Sequence, residues 1–324
     1  MPTNREENAS VGAQVYLGDG GGPQTLMQVL VQVLCPIAMM VAAGYLLQNR
    51  LQIDARSISR IVFYVLSPCL VYTTIINLQI DATTVWRMLA FAAINMTLMG
   101  LIAFLLTRRW GLSGGLASAF VVTAILLNEG NYGLPLNLFA FGQPGFQFAL
   151  IMYAFNTLVG TTLSIFLLAN GHHGAQLAFR RTITAPIVWA LILGVFSRTT
   201  GRAPGGSFLE MLQLAGRSTI PVFLLILGMS LSQARARLDF HLVSRLTVLR
   251  MGVGPALAVG LATLVGLSGL AYSVAVMQAS MPTAVNTIVL SNEFDAKPDF
   301  VAGAVLATTL VSVVTLPLLL LWLR

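Results

Sequence analysis

Ten mostly apolar stretches of roughly bilayer-crossing length, joined by short connections, leave this chain of 324 residues few ways to fold. They run over 25–48, 58–78, 86–107, 115–141, 146–169, 183–198, 207–232, 243–267, 270–292 and 300–323. A helix needs about 20 residues to cross the hydrocarbon core. Only 9% of residues are charged and 56% are hydrophobic, against about 25% charged in a soluble domain. Such a chain lacks the polar surface to face water. The expected fold is all-α, a polytopic membrane protein of ten transmembrane helices. Residues 1–24 are polar and glycine-rich and read as a disordered tail. They lack the apolar core of a signal peptide, and their glycine run, Gly18-Asp19-Gly20-Gly21-Gly22, lacks the Gly-Lys-Ser/Thr end of a phosphate loop. Residues 25–324 read as a single membrane domain.

The net charge of +7 comes from 18 basic and 11 acidic residues. The basic residues are nearly all arginines between apolar runs, which fits membrane orientation rather than nucleic-acid binding. With the N-terminus outside, the inner loops hold Arg50, Arg56, Arg60, Arg108, Arg109, Arg180, Arg181, Arg235, Arg237, Arg245, Arg250 and Lys297. The outer side holds Arg5, Arg87, Arg198, Arg202, Arg217 and Arg324. This asymmetry places both termini on the outer side of the cell (inner) membrane. Cys35 and Cys69 fall in apolar spans and read as small core residues.

Two of the spans are interrupted. The fourth carries Asn128-Glu129-Gly130-Asn131-Tyr132-Gly133-Leu134-Pro135, and the ninth carries Met281-Pro282-Thr283-Ala284-Val285-Asn286. Glycine permits non-helical backbone, and proline removes a donor. Broken spans are tolerated in a bilayer only where protein or a cavity satisfies the freed backbone, and a break in each half points to a transporter's binding site. Half-helices starting near Pro135 and Pro282 would aim free N–H groups and a positive dipole end into the break, where an anion is favoured. The candidate substrate-binding residues are Asn128, Asn131, Gly133, Pro135, Pro282, Thr283 and Asn286. The asparagines also suit plain capping of loose backbone. Glu129 is the acidic residue placed deep in a span. A charge there costs about 2.5–3.5 kcal/mol on insertion scales and is functional by default. It reads as the carrier of a coupling proton or sodium ion, or as a structural carboxyl paired with an arginine. Asn95, Asn156, Thr308, Thr309 and Ser312 read as helix–helix glue. No metal ligand set and no catalytic residue emerge, and no organic cofactor is expected. His172, His173 and His241 fall in loops, and there is no His-Glu-X-X-His, so the chain does not read as an enzyme.

Prolines recur at similar places: Pro36 and Pro186, Pro68 and Pro221, Pro135 and Pro282, separated by 150, 153 and 147 residues. Asn156-Thr157-Leu158-Val159 and Thr308-Thr309-Leu310-Val311 lie 152 apart. Two five-span halves, about 25–169 and 183–324, would insert in opposite senses because each has an odd number of spans. That is the inverted repeat of many secondary transporters.

These features resemble the auxin efflux carrier family, and more closely its bacterial malonate or malate permease-like members. The resemblance rests on Asn128 with Gly133-Leu134-Pro135 and Phe141-Gly142. It rests further on Met281-Pro282, on Asn292-Glu293-Phe294-Asp295-Ala296-Lys297-Pro298-Asp299, on Ser312 with Leu316-Pro317, and on Leu66-Ser67-Pro68. It implies two inverted five-helix repeats, with broken helices 4 and 9 crossing in a transport part that moves like an elevator. It implies an organic-anion substrate and places Asn128, Pro135 and Pro282 at the crossover. Glu129 is not part of that motif. The expected function is secondary transport of a carboxylate, with the organic anion and the lipid bilayer as partners and a homodimer left open. A sodium-coupled carrier like the bile acid symporters and a non-transporting membrane receptor are the alternatives.

Overall fold

Short polar side chains set where two helices begin. Asp54 accepts from the Arg56 N–H at 3.0 Å, and Asp81 accepts from the Thr84 N–H at 2.8 Å, each taking an amide that a first helical turn leaves free. The Ser57 hydroxyl and the Arg56 N–H hold the Asp54 carboxyl below the usual range, and Thr84 does the same for Asp81. What these caps add to stability is present above the ordinary carboxylate range and is lost as pH falls through the lowered values.

The computed structural model describes residues 30–169, 172–233 and 240–323, together with Met27. The expected N-terminal tail, Arg235 and Arg237 lie outside them. The α-helices in chain order are α1 (Cys35–Leu51), α2 (Ala55–Ile61), α3 (Ser67–Ile76), α4 (Ala82–Arg109), α5 (Gly114–Ile125), α6 (Leu134–Phe155), α7 (Thr161–Leu168), α8 (His172–Thr184), α9 (Pro186–Thr200), α10 (Gly206–Gln233), α11 (Phe240–Val248), α12 (Gly254–Leu264), α13 (Gly269–Ala279), α14 (Asn286–Glu293) and α15 (Pro298–Leu323). Short π turns join several of them into longer runs, among them Glu129–Gly133 before α6 and Leu249–Val253 between α11 and α12. Apart from one antiparallel bridge between Leu127 and Thr283, no β structure occurs among the described residues.

By length and composition, seven helical runs can cross a membrane, or eight if the bent pair Gly174–Thr184 and Pro186–Thr200 counts as one span. The difference from ten has a local cause. The breaks leave α5 and α13 apolar but too short to cross alone. The run Glu129–Leu168, in turn, merges material expected in two spans. Gly142 divides that run with φ 65° and ψ −163°, a conformation open to glycine and to few other residues.

Two loops are near copies. Gly111-Leu112-Ser113-Gly114 follows α4 and Gly266-Leu267-Ser268-Gly269 follows α12. The first glycine of each has φ 67° or 73°, and the second φ 57° or 54°. Leu112 donates to the Thr107 carbonyl at 2.9 Å, and Leu267 to the Ala262 carbonyl at 3.0 Å. The same left-handed glycine stop thus ends both helices.

Helix packing is paired in a similar way. α1 lies along α10, and α9 lies along α3. Gly44 of α1 rests on the backbone of Leu225, while Gly194 of α9 rests on Tyr72 and Ile75. Small residues let membrane helices approach this closely.

Candidate functional site

α5 stops at Ile125, where Leu126 turns extended with φ −82° and ψ 114°. α13 stops at Ala279, and residues 281–285 run back across the first break. The two extended pieces pair: the Asn128 N–H donates to the Pro282 carbonyl and the Ala284 N–H to the Leu126 carbonyl, both at 2.9 Å. Side chains take most of what remains. The Thr283 N–H donates to Thr308 Oγ1 at 3.2 Å, Thr283 Oγ1 donates to the Thr123 carbonyl at 2.8 Å, and Asn156 Nδ2 donates to the Leu127 carbonyl at 3.4 Å. These contacts answer the need to satisfy broken backbone away from water. Thr283→Val should therefore lower stability by about 0.5–1.5 kcal/mol, the net worth of one hydrogen bond, in a denaturant titration of the detergent-solubilised protein.

The helical restarts differ from the expected ones. In the first break the chain resumes turning at Glu129, with the Tyr132 and Gly133 N–H groups both on the Asn128 carbonyl. Pro135 sits later, buried at the start of α6. In the second break Pro282 does not start a half-helix. It lies in the crossing strand, and α14 starts at Asn286. Pro135 and Pro282 are therefore not equivalent positions: extended pairing consumes residues 281–284 before helix can resume. The picture of two half-helix N-termini facing each other is corrected accordingly. The turn at Glu129 already carries its own carboxylate, which complements the positive end of that helix.

Asn128, Glu129, Gly133, Pro135, Pro282 and Thr283 are buried at or beside the crossing, Asn131 is half-buried, and Asn286 is exposed. Gly133 faces the Gln278 amide so closely that a Cβ would collide with it. Gln278 in turn donates to the Ala149 carbonyl at 3.0 Å, which ties α13 to α6.

The residue that sequence reasoning misplaced is Arg250. Counted above among loop arginines, it is 0% exposed in the turn between α11 and α12. Its Nε donates to the Met281 carbonyl at 3.1 Å, and one terminal nitrogen donates to the Ala279 carbonyl. A cation thus caps the C-terminal end of α13, where the helix dipole favours it. The signal was present in the sequence, because Arg250 falls inside the apolar stretch 243–267. Asn95 and Asn156, expected as helix glue, also join it. With Glu129 and Arg250 they line a cavity of about 10 Å³ walled otherwise by apolar side chains, Met96, Met99 and Met152 among them, enough for about one water. Glu129 Oε2, Asn95 Oδ1, Asn156 Oδ1 and Arg250 Nη1 are all buried and have no hydrogen-bond partner in the protein. Among the described residues no His, Cys, Asp and Glu cluster could hold a metal ion.

Residues 174–320 match a family described as membrane transport protein. An uncharacterized transporter of Methanothermobacter thermautotrophicus is 30% identical over 300 residues, spanning 92% of this chain and 97% of its own length. An uncharacterized transporter of Methanocaldococcus jannaschii is 25% identical over 277 residues, spanning 82% of this chain and 88% of its own.

Proposed function

Because this chain belongs to the auxin efflux carrier family of membrane transport proteins, we propose that it is a secondary transporter of an organic anion, a carboxylate, worked by the crossing of its two broken spans. The observation that carries the reading is the backbone pairing of residues 126–128 with 282–284. Non-helical backbone at membrane depth is tolerated where protein or a cavity satisfies it, and a break in each half is the arrangement of many secondary transporters.

Ten spans follow when α5 with the turn-led start of α6 counts as the fourth and α13 with α14 as the ninth. Contacts between loops support that count by sorting the loops onto two faces. Arg181 with Glu293, Arg245 over Trp110 and Ser232 with Asn49 would share one face. Arg87 with the Gly266 carbonyl, Arg198 with the Leu78 carbonyl and Gln147 with the Asn77 carbonyl would share the other. With Arg250 removed from the loops, the remaining arginines still favour both termini on the outer side.

An inverted repeat is favoured by pairs of like contacts. The two Gly-Leu-Ser-Gly loops are one such pair. Gly44 on Leu225 and Gly194 on Tyr72 are another, with partners at the offsets of Pro36 to Pro186 and Pro68 to Pro221. Asn156 on Leu127 and Thr308 on Thr283 are a third, each holding the crossing strand from the following span. In an elevator, α1, α3, α9 and α10, which pack on one another, would be the scaffold, and the crossed spans would travel.

Purified protein in liposomes should exchange at least one member of a panel of mono-, di- and aromatic carboxylates. Asn128→Ala should weaken that exchange about tenfold while the protein still inserts. Exchange of no carboxylate by well-folded protein would favour a receptor.

A further inference from the structure

The small cavity beside the crossing holds an unusual set of groups. Three acceptor oxygens (Glu129 Oε2, Asn95 Oδ1 and Asn156 Oδ1) and one donor (Arg250 Nη1) belong to residues at most 5% exposed, and none has a protein partner. Buried polar atoms without partners are rare. Four of them line one space of about 10 Å³, which can satisfy them only by holding a water or an ion.

We propose that this cavity is a proton site, in which Glu129 takes up one proton and Arg250 excludes sodium. The inference deepens the transport reading above and rests on it. Three oxygens including a carboxylate would by themselves suit a small cation. The fixed guanidinium on the same space decides against it, because a metal cation there would sit beside a buried like charge with little water to screen it. A proton brings no such conflict. It ends as an O–H on Glu129, delivered by a hydronium that becomes water, and nothing is oxidised or reduced. A single water fits between the groups, accepting from Arg250 Nη1 and donating to two of the oxygens.

The cavity also explains how a proton would be felt at the crossing. Arg250 holds the Met281 and Ala279 carbonyls, which end α13 and begin the second break. With Glu129 ionised, the two charges balance. With Glu129 protonated, Arg250 carries an unmatched positive charge, which is relieved when a carboxylate solute approaches the crossing. Proton and anion then travel together, one for one. The other titratable neighbours are Tyr153 of α6, whose ring hydroxyl lies against Ser67, and Tyr132 of the same turn. Asn95 of α4 and Gln278 of α13 bring no charge.

The test needs no substrate. Difference infrared spectra of the full chain in phosphatidylcholine nanodiscs would be recorded across a pH series, in sodium chloride and in choline chloride at equal concentration. Wild type minus Glu129→Gln isolates one carboxyl. The inference expects a carboxylic-acid carbonyl band that grows and fades with pH and is the same in both salts. Glu129→Asp should keep such a band at a shifted frequency. A carboxylate band that changes with sodium at fixed pH would overturn it, as would the lack of any Glu129-dependent band in folded protein. Failure to exchange any carboxylate in liposomes would count against the transport reading and leave this band in place.

Discussion

Replacing Arg250 with methionine is expected to cost about 3 kcal/mol or more of stability, because it leaves two buried carbonyls without their charged donor, at about 1–3 kcal/mol each, and removes the positive charge beside Glu129. The variant leaves Glu129 buried without a countercharge and strips the Met281 and Ala279 carbonyls of their donor. Methionine fills similar volume, so the loss is mainly electrostatic and not a cavity effect. Denaturant unfolding in mild detergent would read it. A double-mutant cycle with Glu129→Gln separates the two contributions: removing both charges should recover at least about 1 kcal/mol relative to the sum of the single changes, the coupling expected of groups sharing one site. Additive losses would mean that Arg250 serves only the carbonyls.

The second large effect is expected at Gly228. A Cβ there would run into the backbone of Val41 and Tyr45 on α1, which unlike a flexible side chain cannot step aside. Gly228→Leu should cost about 3 kcal/mol or more, the upper range for overpacking, and should sharply reduce the yield of monodisperse protein in size-exclusion chromatography. Gly194→Leu should cost less, because the nearest obstacles are side-chain atoms of Ile75 at 3.0 Å. Gly260, with nothing within 4 Å, provides a control that should tolerate the same change.

The sequence announces the class of this molecule because apolar length is a direct physical requirement of a bilayer. It announces the breaks for the same kind of reason: Gly130, Gly133 and Pro135, and then Pro282, set helix-breaking residues inside apolar runs. What it could not convey is where helix resumes. Pro135 is compatible with a first helical turn, yet the chain begins turning at Glu129 because Asn128 offers its carbonyl to two amides. Pro282 is equally compatible, yet its carbonyl is used to pair with the other break. The second choice depends on contacts between residues more than 150 apart, to which local propensity is blind. Asn286 illustrates the cost, expected at the site and found exposed. Arg250 failed for a different reason. Counting arginines by loop assumes that each seeks water, and this one is held by carbonyls of a broken helix instead. The Gly-Leu-Ser-Gly duplication was legible throughout and is a better register mark than prolines, because its left-handed glycines fix a loop geometry that few other residues tolerate.

The two breaks pair with each other through backbone. Leu127 and Thr283 face one another between the two flanking hydrogen bonds, an arrangement that brings opposite Cα atoms to about 4.5 Å and within disulfide range. The direct measurement is oxidation of Leu127→Cys with Thr283→Cys in native membranes, after Cys35 and Cys69 are changed to alanine and using a membrane-permeant oxidant. Asn49→Cys with Ser232→Cys serves as the positive control. An intramolecular cross-link at 127–283 that arrests transport until it is reduced is the expected result. A chain that cross-links at 49–232 but leaves the 127 and 283 thiols free would contradict the pairing.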